Sequence, residues 1–385
     1  MSESEDHTSS IKELRKQFPS IGRGLYLNHA AVSPWPRCTS DAVIRFANEN
    51  TLDGPSAYRD WIAREKDLRL QLARLINAES GDDIALLKNT TEGISLVAWG
   101  LDWKQGDNIV IPLGEFPSNR LPWLAQAARG VTVREVDIRA AENAETALLE
   151  AMDERTRLLS VSAVQWQDGF RLDLQQLGAA CESSGALFFV DAIQQLGALP
   201  LDVRDCHVDF LAADAHKWLL GPEGVAVFYC SERARPQLQL LQQGWHMFDN
   251  PWNFKRREWH ASRTAKRFEA GSPNTLGQTA FHASLTLLLL HGMKNVAARI
   301  LHNSAFLIDA LTEVGGVNLS SHSAANRRSG IVSFEHESIS SRELHSRLTR
   351  AGITTALRGN SIRLSPHFYQ DETDLAELVD WFKTL

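Results

Sequence analysis

Residues 209–229 read DFLAADAHKWLLGPEGVAVFY, which is the most informative stretch of the chain. An apolar run leads into Asp214-Ala215-His216-Lys217, and a Gly-Pro turn then precedes a second apolar run. The pattern predicts a β-strand with a lysine at its carboxyl end. Ligands bind at that edge of an open α/β sheet, and a lysine shielded from water there can lose its proton and attack an aldehyde. An isolated His-Lys pair is more simply a surface feature, so the rest of the chain has to decide.

From about residue 84 to 230, short apolar segments alternate with longer amphipathic ones. That rhythm predicts β-α units in an α/β fold, with a mainly parallel sheet and helices on both of its faces. A helix is predicted over 173–184, where an acidic cap begins it and Gly185 follows it. The predicted strands cover residues 84–87, 108–112, 131–136, 158–164, 187–190, 208–211 and 225–229.

The character of the chain changes at residues 244–273, which are rich in Trp, Arg and His and lack clear periodicity. This segment is predicted to be a long functional loop that joins two domains. Beyond it we predict a helical run from 276 to about 314, a strand over 330–335, a helix over 341–351, a strand over 361–365 and a helix over 371–382. The chain is predicted to divide into three parts. Residues 28–270 form a large domain and residues 271–385 a small α+β domain. Residues 1–27 form an N-terminal segment that packs with the small domain.

Composition excludes several classes of function. Apolar residues make up 43% and charged residues 23% of the 385, as in soluble globular proteins. A net charge of -7 gives no electrostatic footprint for nucleic acid. The acidic N-terminus, MSESEDHTSS, is unlike a signal peptide, and the longest apolar run, 285–290, is too short to span a bilayer. We therefore predict a cytoplasmic protein with neither a nucleic-acid nor a membrane partner.

The cysteines and histidines give no metal signature. Cys38, Cys181, Cys206 and Cys230 are widely separated, without a CxxC pair or a disulfide pattern. None of the 13 histidines belongs to an HExxH motif. The sequence predicts reduced thiols and no metal.

A second candidate residue lies in GALFFVDAIQQLG, residues 185–197, where Asp191 ends an apolar run. A carboxylate buried there needs a cationic partner, and a protonated pyridine nitrogen would serve. A helix N-cap is the alternative interpretation of Asp191 alone.

A third candidate is the helix start within ALLKNTTEGISLVAWG, residues 85–100. Asn89, Thr90 and Thr91 open this helix, with Glu92 in its first turn. Besides capping, the hydroxyls and free N–H groups suit a phosphate monoester. Dinucleotide binding has little support, because the chain has no GxGxxG fingerprint.

Six motifs in this order resemble the aminotransferase class V superfamily: NTTE at 89–92, EFPSN at 115–119, VDAIQ at 190–194, DAHKW at 214–218, RFEAGSPN at 267–274 and IRLSP at 362–366. The match runs through most of the chain. It looks closest to the group of cysteine desulfurases, selenocysteine lyase, isopenicillin N epimerase and kynureninase. The resemblance implies pyridoxal 5'-phosphate (PLP) as cofactor and PLP fold type I, with a mainly parallel seven-stranded sheet and a smaller C-terminal α+β domain.

Roles follow from the resemblance, position by position. It makes Lys217 the residue that forms the imine with PLP and moves protons, and Asp191 the partner of the pyridine nitrogen. It makes Gln194 a hydrogen-bond donor to the ring hydroxyl. Arg363 matches the arginine that clamps a substrate α-carboxylate. Ser272 matches a hydroxyl that reaches the phosphate from the neighbouring subunit, which implies a homodimer with shared active sites.

The resemblance also places the remaining cofactor contacts. His216 and Thr91, with Thr90 nearby, would hold the phosphate. Phe116 would stack on one face of the ring, and Ala192 would pack on the other.

Three departures from the desulfurase pattern narrow the function. The region before Arg363 reads ITTALRGNSIRL and lacks the nucleophilic cysteine of desulfurases, so persulfide formation is disfavoured. Asp214 stands where desulfurases have serine, and Phe116 or Pro117 stands where they stack a histidine. The phosphate contacts and acid–base details at those two places stay open.

The implied reaction begins on an α-amino acid as an external aldimine, from which Lys217 removes the α-proton. Transamination or Cβ–S elimination is expected to follow. An epimerase or racemase of the isopenicillin N epimerase type and a non-catalytic PLP-fold binding protein are the alternatives. Six further residues could shape either the pocket or an interface: Gln165, Trp166, Trp245, His246, Trp252 and Trp259.

Overall fold

The computed structural model describes residues 13–253, 255 and 257–385. Residues 1–12 of the predicted N-terminal segment, and Phe254 and Arg256 of the predicted long loop, lie outside the described residues.

The described β-strands are β1 (Leu25–Tyr26), β2 (Ile84–Leu87), β3 (Asn108–Pro112), β4 (Thr132–Val136), β5 (Thr156–Ser162), β6 (Leu187–Asp191), β7 (Phe210–Asp214), β8 (Ala226–Cys230), β9 (Val317–Leu319), β10 (Val332–His336), β11 (Ile353–Thr354), β12 (Ala356–Arg358) and β13 (Ser361–Leu364). The described α-helices are α1 (Arg37–Asp53), α2 (Tyr58–Leu75), α3 (Thr90–Gly100), α4 (Leu121–Leu124), α5 (Ala144–Glu150), α6 (Leu174–Ser184), α7 (Thr275–His291), α8 (Met293–Val314), α9 (Ser341–Arg350) and α10 (Glu372–Phe382). Of these helices, none combines the length and apolar character needed to cross a membrane.

The large sheet has seven strands in the order β2-β8-β7-β6-β5-β3-β4. Strands β3 to β7 pair in parallel, whereas β8 runs antiparallel to both β7 and β2. The prediction of a mainly parallel seven-stranded sheet is confirmed. All five residues of β6 are buried, because helices cover both faces of such a sheet and its strands are therefore continuous apolar runs.

A second, four-stranded sheet has the antiparallel order β12-β13-β10-β9. Its apolar face packs in a separate core with α8, α9 and α10. Strand β1 pairs in parallel with β11, so the N-terminal segment joins the C-terminal part of the chain. Helix α7 packs against α1 and α2, although the predicted small domain includes it. The domain limits stay a prediction.

The predicted helix ends agree well with the structure where a cap is visible in the sequence. Asp173 accepts a hydrogen bond from the Gln176 N–H at the start of α6, and Gly185 ends it with φ +77°. The predicted helical run from 276 to about 314 consists of two helices, because Gly292 (φ +87°) separates α7 from α8. In the described part of 244–273, two short 3-10 turns cover 245–247 and 265–268.

Candidate active site

A cavity of about 310 Å³ opens at the carboxyl ends of β6 and β7, beside the β12–β13 hairpin. It brings together seven of the ten residues to which the resemblance gives a role: Thr90, Phe116, Asp191, Gln194, His216, Lys217 and Arg363. Ala192, Thr91 and Ser272 do not line it. Five lining residues without a predicted role are Ala30, Ala31, Ser118, Ile193 and Arg358.

Lys217 lies three residues beyond the last residue of β7 and is mostly buried. Burial lowers the pKa of its amine to about 8, and the Arg363 charge acts in the same direction, while Asp191 and Asp214 oppose it. Its Nζ lies 5.8 Å from the centroid of the Phe116 ring. A lysine with this pKa has a substantial neutral fraction near pH 7.5, as a nucleophile or base requires.

Asp191 ends β6 and is 2% exposed. Its Oδ1 accepts a hydrogen bond from the Ile193 N–H at 3.1 Å. Burial, followed by the charge of Glu115, raises its pKa to about 7. A buried acid of this kind is stabilised in its charged form by a cation, and a protonated pyridine nitrogen is such a cation.

Glu115 is a buried acid that the sequence analysis did not single out. Its carboxylate accepts hydrogen bonds from the Ser162 N–H at 2.6 Å, the Ser162 hydroxyl at 2.5 Å and the Gln165 amide at 3.2 Å. Burial raises the pKa of Glu115, and these hydrogen bonds act in the opposite direction. Gln165 is thereby held outside the 310 Å³ cavity. The position of Glu115 shortly after β3, at the same sheet edge as Asp191, was the available signal.

The polar side chains at the start of α3 have different partners, and only one of them caps the helix. The Asn89 side chain accepts from the Glu92 N–H at 2.8 Å. Thr90 donates its hydroxyl and its backbone N–H to Asp214 Oδ2, at 3.0 and 3.2 Å, so Asp214 occupies the polar groups that the resemblance put near the phosphate. The Thr91 hydroxyl lies 2.7 Å from that of Ser118, which lines the cavity.

His216 provides the test of whether these residues fit a phosphate. Its Nδ1 is buried and has no hydrogen-bond partner among the described residues. Burial and the nearby Lys217 lower its pKa to about 4. A buried ring nitrogen without a partner needs one. Together with the hydroxyls of Thr91 and Ser118, it fits the oxygens of a phosphate monoester.

Gln194 and Ala192 are less open to a ligand than the sequence suggested. Gln194 donates from Nε2 to the Ala30 carbonyl at 3.1 Å and accepts from Trp218 Nε1 at 3.0 Å. One amide hydrogen therefore remains for the ring hydroxyl. Ala192 is fully buried, and its neighbour Ile193 lines the cavity instead.

Arg363, in β13, is only 2% exposed. Its Nη1 donates to the Trp166 carbonyl at 2.6 Å, but its Nε and Nη2 have no partner among the described residues. Elsewhere in the chain, the same two nitrogens of an arginine donate to both oxygens of a carboxylate: Arg120 binds Glu135 in this way, and Arg233 binds Asp209. Burial and Arg358 lower the pKa of Arg363 to about 9. The free edge has the shape of a carboxylate site.

The candidate pocket residues of the 244–273 segment and the four cysteines do not line this cavity. Trp166 lines the cavity, whereas Trp245, His246, Trp252 and Trp259 do not. Trp245 packs against Trp252 with ring centroids 5.3 Å apart. No cysteine lines this cavity in the described part of the chain, and burial raises the pKa of Cys181 to about 12. No group of His, Cys, Asp or Glu within the described ranges is placed to hold a metal.

The fold, with a cavity lined by Lys217 and the buried Asp191 at one sheet edge, is that of a cofactor-dependent enzyme. A model of the aminotransferase class-V family matches residues 25–367, and the chain belongs to that family and uses PLP. It is 28% identical to a probable cysteine desulfurase of Methanothermobacter thermautotrophicus, over 94% of this chain and 95% of that protein. It is 30% identical to a cysteine desulfurase of Klebsiella pneumoniae, over 85% of this chain and 83% of that protein.

Two solved structures share the fold over nearly the whole chain. One is a mutant of C-DES with glycine covalently linked to the PLP cofactor, with a TM-score of 0.89, 26% identity and coverage of 96% of this chain and 98% of that one. The other is the cystine C-S lyase C-DES in complex with its reaction product, cysteine persulfide, with a TM-score of 0.88, 26% identity and coverage of 95% and 99%. The likeness confirms PLP fold type I.

Proposed function

We propose that this enzyme eliminates a sulfur substituent from Cβ of an L-α-amino acid, with Lys217 as the base. The observation that carries the proposal is that Arg363, whose buried Nε and Nη2 have no partner among the described residues, lines the same cavity as Lys217. The net reaction converts RS-CH2-CH(NH3+)-COO- and water into RSH, pyruvate and ammonium. The similarity to a cystine C-S lyase supports this choice of bond.

Each protein group has a defined task in this proposal. Bound PLP supplies an electron sink for the pair left at Cα. Asp191 keeps a proton on the pyridine nitrogen, and Lys217 Nζ takes the α-proton. Arg363 binds the α-carboxylate by two parallel hydrogen bonds and so orients the Cα–H bond toward Lys217.

The remaining contacts hold the cofactor in place. His216, Thr91 and Ser118 would bind the phosphate, and Gln194 would donate its free amide hydrogen to the ring hydroxyl. Phe116, which is 42% exposed, offers a face on which the ring can stack. Packing of Ala192 on the opposite face stays a prediction.

Elimination without a protein thiol is favoured over persulfide chemistry. Arg358 at the end of β12 and Ser361 at the start of β13 are separated only by Gly359 and Asn360. This two-residue turn has no room for a loop that could carry a nucleophile. The sulfur therefore leaves on its own substituent rather than on a cysteine of the enzyme.

We also infer a homodimer with shared sites. Ser272 is exposed and lies outside the cavity of its own chain, which suits a contact with the partner's phosphate. A cytoplasmic location stays a prediction.

The test has two stages. The purified enzyme should be yellow, and borohydride reduction should fix the cofactor on the peptide that contains Lys217. Incubation with S-substituted L-cysteines should then release thiol, pyruvate and ammonia in equal amounts. Lys217→Ala should abolish all three, whereas Lys294→Ala, at an exposed position of α8, should not.

Other products would contradict the elimination. Transfer of the amino group to a 2-oxo acid, with the sulfur substituent retained, would indicate transamination. Recovery of the D-amino acid would indicate epimerisation. A colourless protein that does not respond to added PLP would be a non-catalytic member of the family.

A further inference from the structure

A second arginine, Arg358, lines the same cavity as Arg363. It ends β12, and in the β12–β13 register it pairs with Ser361, while Ala356 pairs with Arg363. Paired residues of antiparallel strands share a face, and so do residues two apart on one strand. Both guanidinium groups therefore project from one face of the hairpin.

Neither arginine has an acidic partner in the described part of the chain. Arg358 donates from Nη1 to the carbonyl of the adjacent Leu357 at 3.0 Å, and Arg363 donates to the Trp166 carbonyl. The acids of the cavity are engaged otherwise: Asp214 with Thr90, and Asp191, in the proposed function, with the pyridine nitrogen. An α-carboxylate on Arg363 would still leave one guanidinium without an anion.

The positive charges of Arg358 and Arg363 also repel each other. Burial lowers the pKa of Arg358, and the Arg358 charge contributes to the lowered pKa values of Arg363 and Lys217. A ligand with one negative charge relieves only part of this repulsion. A ligand with two negative charges relieves more of it.

We propose that Arg358 binds a second anionic group, carried on the β-substituent of the substrate. The inference rests on the proposed elimination and names its substrate class: S-substituted L-cysteines whose sulfur substituent bears a carboxylate. Arg363, which is deeply buried, takes the α-carboxylate, and the more exposed Arg358 takes the carboxylate of the departing thiol.

S-carboxymethyl-L-cysteine is the simplest member of this class. Its Cβ–S bond breaks with the electron pair on sulfur, and the departing thiolate takes up one proton. With one water consumed, the products are mercaptoacetate, pyruvate and ammonium, without any oxidant or reductant. Thiol and pyruvate can both be followed in the same reaction.

The test compares this substrate with S-carbamoylmethyl-L-cysteine, which has nearly the same shape but no second charge. A hydrogen bond to a charged group contributes about 1.5–3 kcal/mol, so the wild-type kcat/KM should favour the carboxymethyl compound ~10- to 100-fold. Arg358→Gln should remove this preference by raising KM for the carboxymethyl compound alone. Arg358→Lys should keep part of it, and Arg342→Gln, at an exposed position of α9, should keep all of it.

A binding measurement separates this inference from the elimination itself. The analogue 3-(carboxymethylsulfanyl)propanoate lacks the amino group and cannot react, so calorimetry with the holoenzyme reports Kd alone. We expect it to bind at least ~10-fold more tightly than its terminal amide, and only when Arg358 is present.

The outcomes are distinguishable. Binding preference without turnover would contradict the elimination and support the role of Arg358. Turnover without a preference for the charged substituent would overturn the role of Arg358. Two results with Arg358→Gln would overturn it as well. An equal loss of kcat/KM for both substrates would mean that Arg358 serves the α-carboxylate, and a loss of PLP would mean that it serves the phosphate.

Discussion

The Thr90 hydroxyl donates to Asp214 Oδ2 at 3.0 Å and accepts from the Asp214 N–H at 3.1 Å. This reciprocal pair ties the first turn of α3 to the last residue of β7. Lys217 follows Asp214 by three residues, so the pair fixes the lysine relative to the predicted phosphate site. A serine at position 214 could not accept from both Thr90 donors in the same way as a carboxylate.

The first prediction concerns this pair. Asp214→Ala should lower the unfolding free energy of the apoenzyme by about 1–3 kcal/mol, because two buried Thr90 donors lose their acceptor. Asp214→Asn, which keeps a side-chain oxygen, should lose less. Urea denaturation measures both, with Glu223→Gln, at an exposed position, as the control. An alanine variant as stable as wild type would mean that the Thr90–Asp214 bonds contribute nothing net.

The second prediction concerns the free edge of Arg363. Arg363→Gln should raise KM for the amino acid by ~10- to 100-fold, while PLP content is unchanged, because a charge-assisted bidentate contact is lost. Arg363→Lys should recover only part of the affinity, since an ammonium cannot form two parallel hydrogen bonds. Steady-state kinetics and cofactor titration give both quantities. Loss of PLP with unchanged KM would assign Arg363 to the cofactor instead.

The third prediction follows from the pKa of Asp191, which is raised to about 7 in the folded chain. Its ordinary value is about 3.9, so the folded apoenzyme binds more protons between these pH values, and its unfolding free energy falls as pH rises through this window. Asp191→Asn cannot ionise. The variant should therefore gain stability relative to wild type as pH rises from 5 to 8, by at most about 3 kcal/mol.

Denaturation of the apoenzyme at these two pH values tests this directly. In the holoenzyme the difference should shrink or reverse, because a pyridinium partner stabilises the charged carboxylate. A stability difference that does not change with pH would show that Asp191 is already ionised in the folded apoenzyme.

The sequence predicts the part of the site that depends on strand ends. Asp191 and Lys217 follow apolar runs, and parallel strands present their carboxyl ends at one sheet edge, so their proximity follows from the pattern alone. The limits of β7 are less well predicted: the predicted strand is 208–211, and the observed one is Phe210–Asp214. An apolar run shows that a strand exists but does not specify which backbone groups pair.

The residues contributed by the hairpin could not be placed in this way. Arg363 reaches the cavity because β13 pairs with β10 and β12 in a particular register, which depends on strands of only three to five residues. Arg358 lies on the same face of the hairpin as Arg363 only because the turn between β12 and β13 has two residues. Glu115 was missed because its partners, Ser162 and Gln165, are about 50 residues away along the chain.

The last prediction concerns Ser272 and uses mixed dimers. If Ser272 serves the partner's site, a dimer of one Lys217→Ala chain and one Ser272→Asp chain contains one site with both native residues. That dimer should retain about half of the wild-type activity, although each parent homodimer is inactive or nearly so. The aspartate is expected to act by repelling the phosphate.

Differently tagged chains, co-expressed and purified through both tags, provide the mixed dimer. An inactive mixed dimer would place Ser272 in the site of its own chain, whereas a fully active Ser272→Asp homodimer would place it outside any site. A protein that sedimented as a monomer and remained fully active would contradict the shared site altogether. Half-activity would instead establish that each cavity described for a single chain is completed by a hydroxyl from its neighbour.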